Sequence, residues 1–464
     1  MGAAGVGLLH RIWLLLVVPL IVWLIGWHRS SALVLIAALL AGAGLMALHQ
    51  QALQTSIVAP LLDKKVSVHI VASIVSDPKL GEPKQMLGYV KPATTTALIS
   101  IISFEIGKGT FRTHLPMRFT TSQRLTALPG SVISCAGIIY STPEKRVAGL
   151  FAERGPITEV HGTGSMGKIT GAIRSDFRTV SLHVGGTSGA LIPGLVLGDT
   201  SLETRAFVND MFLSGLTHLT AVSGENFAVI AAFMLWFLQW VLPNLRARLI
   251  ICALVLVGFI FLVRPSPSVL RATVMVSVLL IAKGRGVRSS ALAALGLAIS
   301  LLILIDPFEA TDPGFALSVA ATAGILLLNA PVANWLQKFL QSRRLAELLA
   351  ISISANLICT PLTIAISGQF SIMSLPSNFF VEPVVAPITI VGFIAALTAP
   401  FAAGLSYLLT LTQKPFAEVI VWVATNFAKV PVIHLNKGFA GGSIGVLVLA
   451  CGWIALRWRS WGSL

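Results

Sequence analysis

The sequence predicts a polytopic α-helical membrane protein with a small inserted β-barrel of OB-like type on the extracytoplasmic side. Three observations predict it. Of 464 residues, 55% are hydrophobic and only 11% charged, where soluble domains carry roughly a quarter charged residues, and the mean hydropathy is +0.86. Apolar runs recur near the length a bilayer requires, about 17–25 residues. Between residues 61 and 164 this texture breaks into short alternating runs punctuated by Pro and Gly.

Residues 1–60 read as a transmembrane hairpin, with apolar runs at 12–27 and 32–48 joined by HRSS at 28–31. Two adjacent runs with so tight a join fit a hairpin better than a cleaved leader. In 61–164, Val66, Val68, Ile70, Ala72 and Ile74 share one face of a period-2 pattern, and further strands are expected at 96–105, 114–120, 131–140 and 157–160. Five short strands in about a hundred residues suit an OB-like barrel. This stretch holds twelve basic residues against seven acidic ones. Lys64, Lys65, Lys108, Arg112, Arg118 and Arg124 are its candidate phosphate contacts. Tyr89, Phe104, Phe111, Phe119 and Tyr140 either stack bases or fill the barrel.

Residues 165–225 are only partly apolar and carry Asp199, Glu203, Arg205 and Asp210, which predicts interfacial or short outer-side helices. The stretch 226–464 follows as a helical membrane domain, with runs at 227–242, 249–263, 268–282, 289–305, 314–330, 345–366, 384–402, 416–434 and 441–456. Positive charge clusters in the loops at 243–248, 283–288 and 337–344, while 306–313 is acidic. The basic loops therefore belong in the cytoplasm. Alternating crossings then put the insert and the segment 214–227 outside. The side of the tail stays open, because 416–434 contains Lys429 and Pro431 and could lie flat on the membrane.

Lys and Arg together number 33 against 18 for Asp and Glu. Positive-inside topology accounts for much of that excess, and attraction for a polyanion is the sharper alternative. Cys135, Cys252, Cys359 and Cys451 are widely spaced, without the clustering of a zinc site or a disulfide framework. GGTSG at 185–189 lacks the GK[ST] of a phosphate-binding loop, and neither a cofactor nor a metal is expected.

The chemistry concentrates at 214–227, SGLTHLTAVSGENF, directly before a long apolar run. His218, Thr220, Ser223, Gly224, Glu225 and Asn226 lie there, with Arg271 and Asp312 in later segments. Polar groups in hydrocarbon cost a few kcal/mol each, so they face water or a partner. For Arg271 the expected partner is Asp312 or Glu225, as a structural ion pair or as part of a pore wall. His218 and Ser223 also invite a hydrolase reading. On a regular helix, however, five residues rotate them to different faces, and AVSGE is no GxSxG elbow.

LGD at 197–199, SGLTHLTAVSGEN at 214–226, LRATVM at 270–275 and DPGFALSVAATAGI at 312–325 resemble, in order and spacing, the ComEC-type competence proteins. The resemblance covers roughly 185–440, and the insert fits that family's OB-like domain. It implies a non-enzymatic channel in the bacterial cytoplasmic membrane that imports single-stranded DNA during natural transformation. The partners implied are single-stranded DNA, membrane lipid, a membrane DNA receptor and a cytosolic ATP-driven DNA translocase; self-association into a homo-oligomer is left open. The chain also reads as a short form without the C-terminal metallo-β-lactamase-like domain of many members, so degradation of the second strand is expected of another protein. Glu225 departs from the small or apolar residue expected before Asn226, and an acid is awkward beside a polyanion unless a base pairs with it. The rival reading is a transporter of small solutes or lipid-linked substrates.

Overall fold

A computed structural model describes residues 29–443 apart from 57, 65, 82–83, 87–88, 92–93, 107–108, 124, 126, 221, 265–266, 287–289, 436 and 439–441. The expected spans at 12–27 and 441–456 therefore lie outside the described residues or almost so, as do Lys65, Lys108 and Arg124. Two compact units divide the chain, one running to Ala172 and including Asp306–Phe308, the other holding Ile173–Ile305 and continuing from Glu309.

The first unit contains helix α1 (Arg29–Gln54) and strands β1 (Ser67–Ile74), β2 (Lys79–Leu80), β3 (Lys84–Met86), β4 (Tyr89–Lys91), β5 (Thr95–Ile106), β6 (Gly109–Thr121), β7 (Val132–Tyr140), β8 (Leu150–Glu153) and β9 (Thr158–His161). The main sheet runs β1-β5-β6-β8-β7-β9, with β1 also pairing β7. β6 and β8 are parallel; the other pairs are antiparallel. Alternation decides which face is buried: Val68, Ile70, Ala72 and Ile74 of β1 point inward with Ile99, Ile101, Phe104, Met117, Phe119, Ile133, Cys135, Ile139 and Phe151. Phe104 and Phe119 are thus interior residues, whereas Phe111 is exposed and stacks on Phe104 with ring centroids 5.3 Å apart. Val66, counted in the apolar face from sequence, is exposed ahead of β1. β6 begins five residues before the expected 114, since the β5–β6 hairpin continues beyond an irregularity at 101–103. β8 was not expected, and it packs Phe151 on Phe119.

The second unit is helical. The unit boundary falls inside α2 (Ser165–Val184), which is followed by α3 (Gly186–Leu197), α4 (Arg205–Leu213), α5 (Gly224–Val241), α6 (Leu245–Val263), α7 (Pro267–Gly284) and α8 (Ala291–Ile305). Then come α9 (Pro313–Leu336), α10 (Arg343–Ser367), α11 (Ser374–Thr398) and α12 (Ala403–Phe427), with a small pairing of β10 (Gln369–Phe370) and β11 (Ile433–His434). Among the described residues, α5, α6, α9, α10 and α11 are long and apolar enough to cross a membrane. The chain is therefore a multi-pass membrane protein by length and composition. Side-chain caps set several helix starts: Thr204 on α4, Ser223 on α5, Asn244 on α6, Asp312 on α9 and Ser342 on α10.

The structure corrects the sequence reading in two places. The expected spans 384–402 and 416–434 are α11 at 374–398 and α12 at 403–427, because Pro383, Pro387 and Pro415 lie inside continuous helices instead of marking their ends. The stretch expected to present interfacial helices contains α3, which packs against α6, α11 and α12 and buries nine of its twelve residues. Its sequence, GTSGALIPGLVL, has no polar face to offer an interface. Val196 seats against Gly392 of α11, where an added Cβ would lie 2.3 Å from it. Gly324 of α9 likewise lets the α10 backbone approach, the Ser354 carbonyl oxygen lying 2.5 Å from its Cβ position.

Candidate functional site

The polar segment is anchored on both sides. At the end of α4, Gly215 adopts φ +81° and its Cβ position lies 2.7 Å from Ser374 Cβ, so a side chain there would collide with α11. Ser371 Oγ donates to the Leu213 carbonyl at 2.6 Å. A 3-10 turn at Thr217–Thr220 buries Leu219 and leaves Thr217 and His218 exposed. Thr220 Oγ1 is spent on the Thr217 carbonyl at 2.8 Å.

Ser223 is the N-cap of α5, accepting the Asn226 N–H at 3.3 Å. Its hydroxyl is thereby committed to starting a helix. Asn226, 4% exposed, donates from Nδ2 to the Leu195 carbonyl of α3 at 2.8 Å. The start of α5 is thus tied to the buried helix by a charge-free bond. Gly224 faces Arg271, with a guanidinium nitrogen 2.8 Å from its Cβ position, leaving no room for a larger residue.

Arg271, on α7, is 5% exposed. It donates to Ser318 Oγ at 2.6 and 3.2 Å and to Thr322 Oγ1 at 2.8 Å, both on α9, and approaches Met275 Sδ at 3.4 Å. The expected carboxylate partners are corrected: Asp312 caps α9 through the Phe315 N–H at 2.8 Å, and the charge that acts on Glu225 is that of Glu382 on α11. Four residues separate Ser318 from Thr322, one helical turn, so a single guanidinium bridges both hydroxyls. Hydroxyls accept from its Nε, Nη1 and Nη2 groups, and among the described residues no carboxylate balances its charge.

Glu225 instead lies within Coulombic range of Glu382 on α11. Ser352 of α10 donates to Glu382, and one turn on Ser374 donates to Asn356 Oδ1 at 3.0 Å. The segment thus approaches α11, which shares acidic and hydroxyl groups with α10, at Gly215, and the cationic α7–α9 contact at Gly224. Glu382, Ser352, Asn356 and Ser374 were not singled out from sequence; the lone acid within 374–398 was the available signal.

Beneath α3 lies a second polar group. Arg174, 5% exposed, donates to the carbonyls of Leu197 at 2.7 Å and Leu262 at 3.0 Å, holding the C-terminal turns of α3 and α6. Arg178 bonds Asp199 Oδ2 at 2.8 and 2.5 Å, and Asp199 Oδ1 accepts the Ser201 N–H at 3.2 Å. Burial acts to raise the Asp199 carboxyl, but the Ser201 bond and the two guanidiniums outweigh it and hold it below the usual carboxylate range. Glu203 beside it is pushed up to about 7, by burial first and by the Asp199 charge second.

In the β unit, Arg118 is held bidentately by Glu144, with bonds of 2.6 to 3.0 Å, which commits that candidate phosphate contact to an ion pair. Lys64 and Arg112 are exposed. Among the described residues no group of three or more His, Cys, Asp or Glu gathers as a metal site.

Lipid-length helices around a polar segment with buried and partly exposed charges define a multi-pass membrane protein built to keep polar groups inside its helical unit. Residues 195–461 match the family described as Competence protein, and the chain belongs to that family. It is also 27% identical over 261 residues to ComE operon protein 3 of Bacillus subtilis (strain 168), the match covering 53% of this chain and 31% of that relative. No solved structure matches the chain.

Proposed function

We propose that the protein conducts single-stranded DNA across the bacterial cytoplasmic membrane in transformation, acting as a channel without catalysis of its own. The observation that carries this reading is that segment 214–226, within the part of the chain that matches the family, approaches Ser374 of α11 at Gly215 and Arg271 of α7 at Gly224. A strand crossing a bilayer needs hydrogen-bonding and charged groups along a wet route. His218 and Glu225 are exposed polar groups on such a route, while Asn226 and Arg271 hold its frame. The engagement of Ser223 as a helix cap supports transport over hydrolysis.

The β unit, as an OB-like barrel, captures the strand outside. The pairing of β1 with both β5 and β7, and the parallel β6–β8 pair, support that reading. In this reading Lys64 and Arg112, both exposed, meet the phosphates. A membrane receptor delivers DNA and a cytosolic ATP-driven translocase supplies the work. The test is Arg271→Ala in cells, with labelled DNA followed into the cytosol at equal protein level. Strand entry is expected to fall at least about tenfold, as for loss of a buried charge-assisted contact; entry at the normal rate overturns the role of Arg271.

A further inference from the structure

The C-terminal end of α3 is where the polar segment is held. Leu195 accepts from Asn226, Leu197 accepts from Arg174, and Gly198, at φ +68°, lies against Val222. Glu203 closes over the same end. Its Oε1 is 2.4 Å from the Cβ position of Gly194, so the carboxyl occupies the space that a side chain on α3 would fill. Both of its oxygens are buried without a hydrogen-bond partner among the described residues. The charged group that acts on it is Asp199, on its own loop, whose carboxylate is in turn bonded by Arg178 and stabilised by Arg174 of α2. The helix it packs on, α3, contains no titratable residue.

An ionised carboxylate is poorly placed there. It has no donor, it is shielded from water, and it faces a second carboxylate whose charge two arginines hold in place. A protonated carboxyl suffers none of this repulsion.

We propose that Glu203 is a pH-sensitive latch on α3: closed over Gly194 when it carries its proton and released when ionised, it sets how firmly Gly198–Asn226 is docked. Glu203 titrates near 7, above its ordinary value of 4.5. The latch is therefore at full strength below about pH 4.5, weakens as pH rises toward 7, and stays weak above that. Lower pH tightens the platform beneath Val222 and Asn226. The inference concerns docking and not conduction, so it stands or falls separately from the transport reading.

Hydrogen exchange of the full chain in lipid nanodiscs tests it, with amide protection at 198–204 and 222–226 corrected for intrinsic exchange between about pH 5 and about pH 8. In the unsubstituted protein protection is expected to fall about tenfold or more across that range. Glu203→Gln keeps high protection at both ends. Gly194→Ala puts a methyl where the carboxyl sits and gives low protection at both ends. A flat profile in the unsubstituted protein overturns the latch, as does an undiminished pH dependence in Glu203→Gln or full protection in Gly194→Ala at low pH.

Discussion

At the scale of single residues, the polar groups of this protein are sorted by what they are bonded to. Arg271 is satisfied by two hydroxyls, Asn226 by a helix carbonyl, Ser223 and Asp312 by the helix starts they cap. Asn226→Ala should lower the thermal unfolding midpoint of the detergent-solubilised chain, corresponding to about 1–3 kcal/mol, because the Leu195 carbonyl is left buried without its donor. An unchanged midpoint would show that the bond is not holding α5 to α3. The concentration of polar residue types at 214–226 was legible in sequence. Their partners were not: an intramembrane arginine asks for an acceptor, and only the register of α9 against α7 supplies Ser318 and Thr322 in place of Asp312. Glu225 comes within Coulombic range of Glu382 for the same reason, since an interaction between residues 157 positions apart leaves no local pattern.

At the scale of elements, close backbone approach is what the glycines secure. In β7, a Cβ on Gly137 would lie 2.4 Å from the Ala152 carbonyl oxygen and 2.5 Å from the Phe151 ring. Gly137→Val should therefore destabilise the β unit by about 1–3 kcal/mol or more, read as earlier proteolysis of that unit on heating. Gly155→Ala is the control, because its Cβ meets only Ala136 at 3.8 Å. Equal loss in both variants would mean that overpacking at β7 is not the cause. The strands were legible wherever alternation ran long enough, as in β1, β5 and β7, and illegible in four-residue β8. Among the helices, periodicity found the runs but placed the last two boundaries wrongly, since prolines that signal an end in a short window sit within longer helices packed on both sides.

At the scale of the whole molecule, the proposed function assigns to polyanion binding the part of the Lys and Arg excess that positive-inside topology does not use. Binding of a single-stranded oligonucleotide to the full chain in nanodiscs should weaken with salt, each phosphate contact adding about 0.7 to the slope of log K against log salt. Arg112→Ala should reduce that slope by about one contact, whereas Arg118→Ala should leave it nearly unchanged because Glu144 already holds Arg118. Salt-independent binding would remove the β unit from DNA capture.

Composition and hydropathy alone determined that this chain lives in a membrane and carries a β insert, because burial in lipid and alternation on a sheet are properties of short windows of sequence. The ordered motifs at 197–199, 214–226, 270–275 and 312–325 likewise carried the family. The tertiary structure alone decided that α3 is a buried platform, that Glu225 lies within Coulombic range of Glu382, and that Glu203 closes over Gly194 without a hydrogen-bond partner among the described residues. Those facts depend on which distant helices touch and at what rotation, and hydrophobic packing fixes both through the sum of many weak contacts that no single stretch of sequence contains.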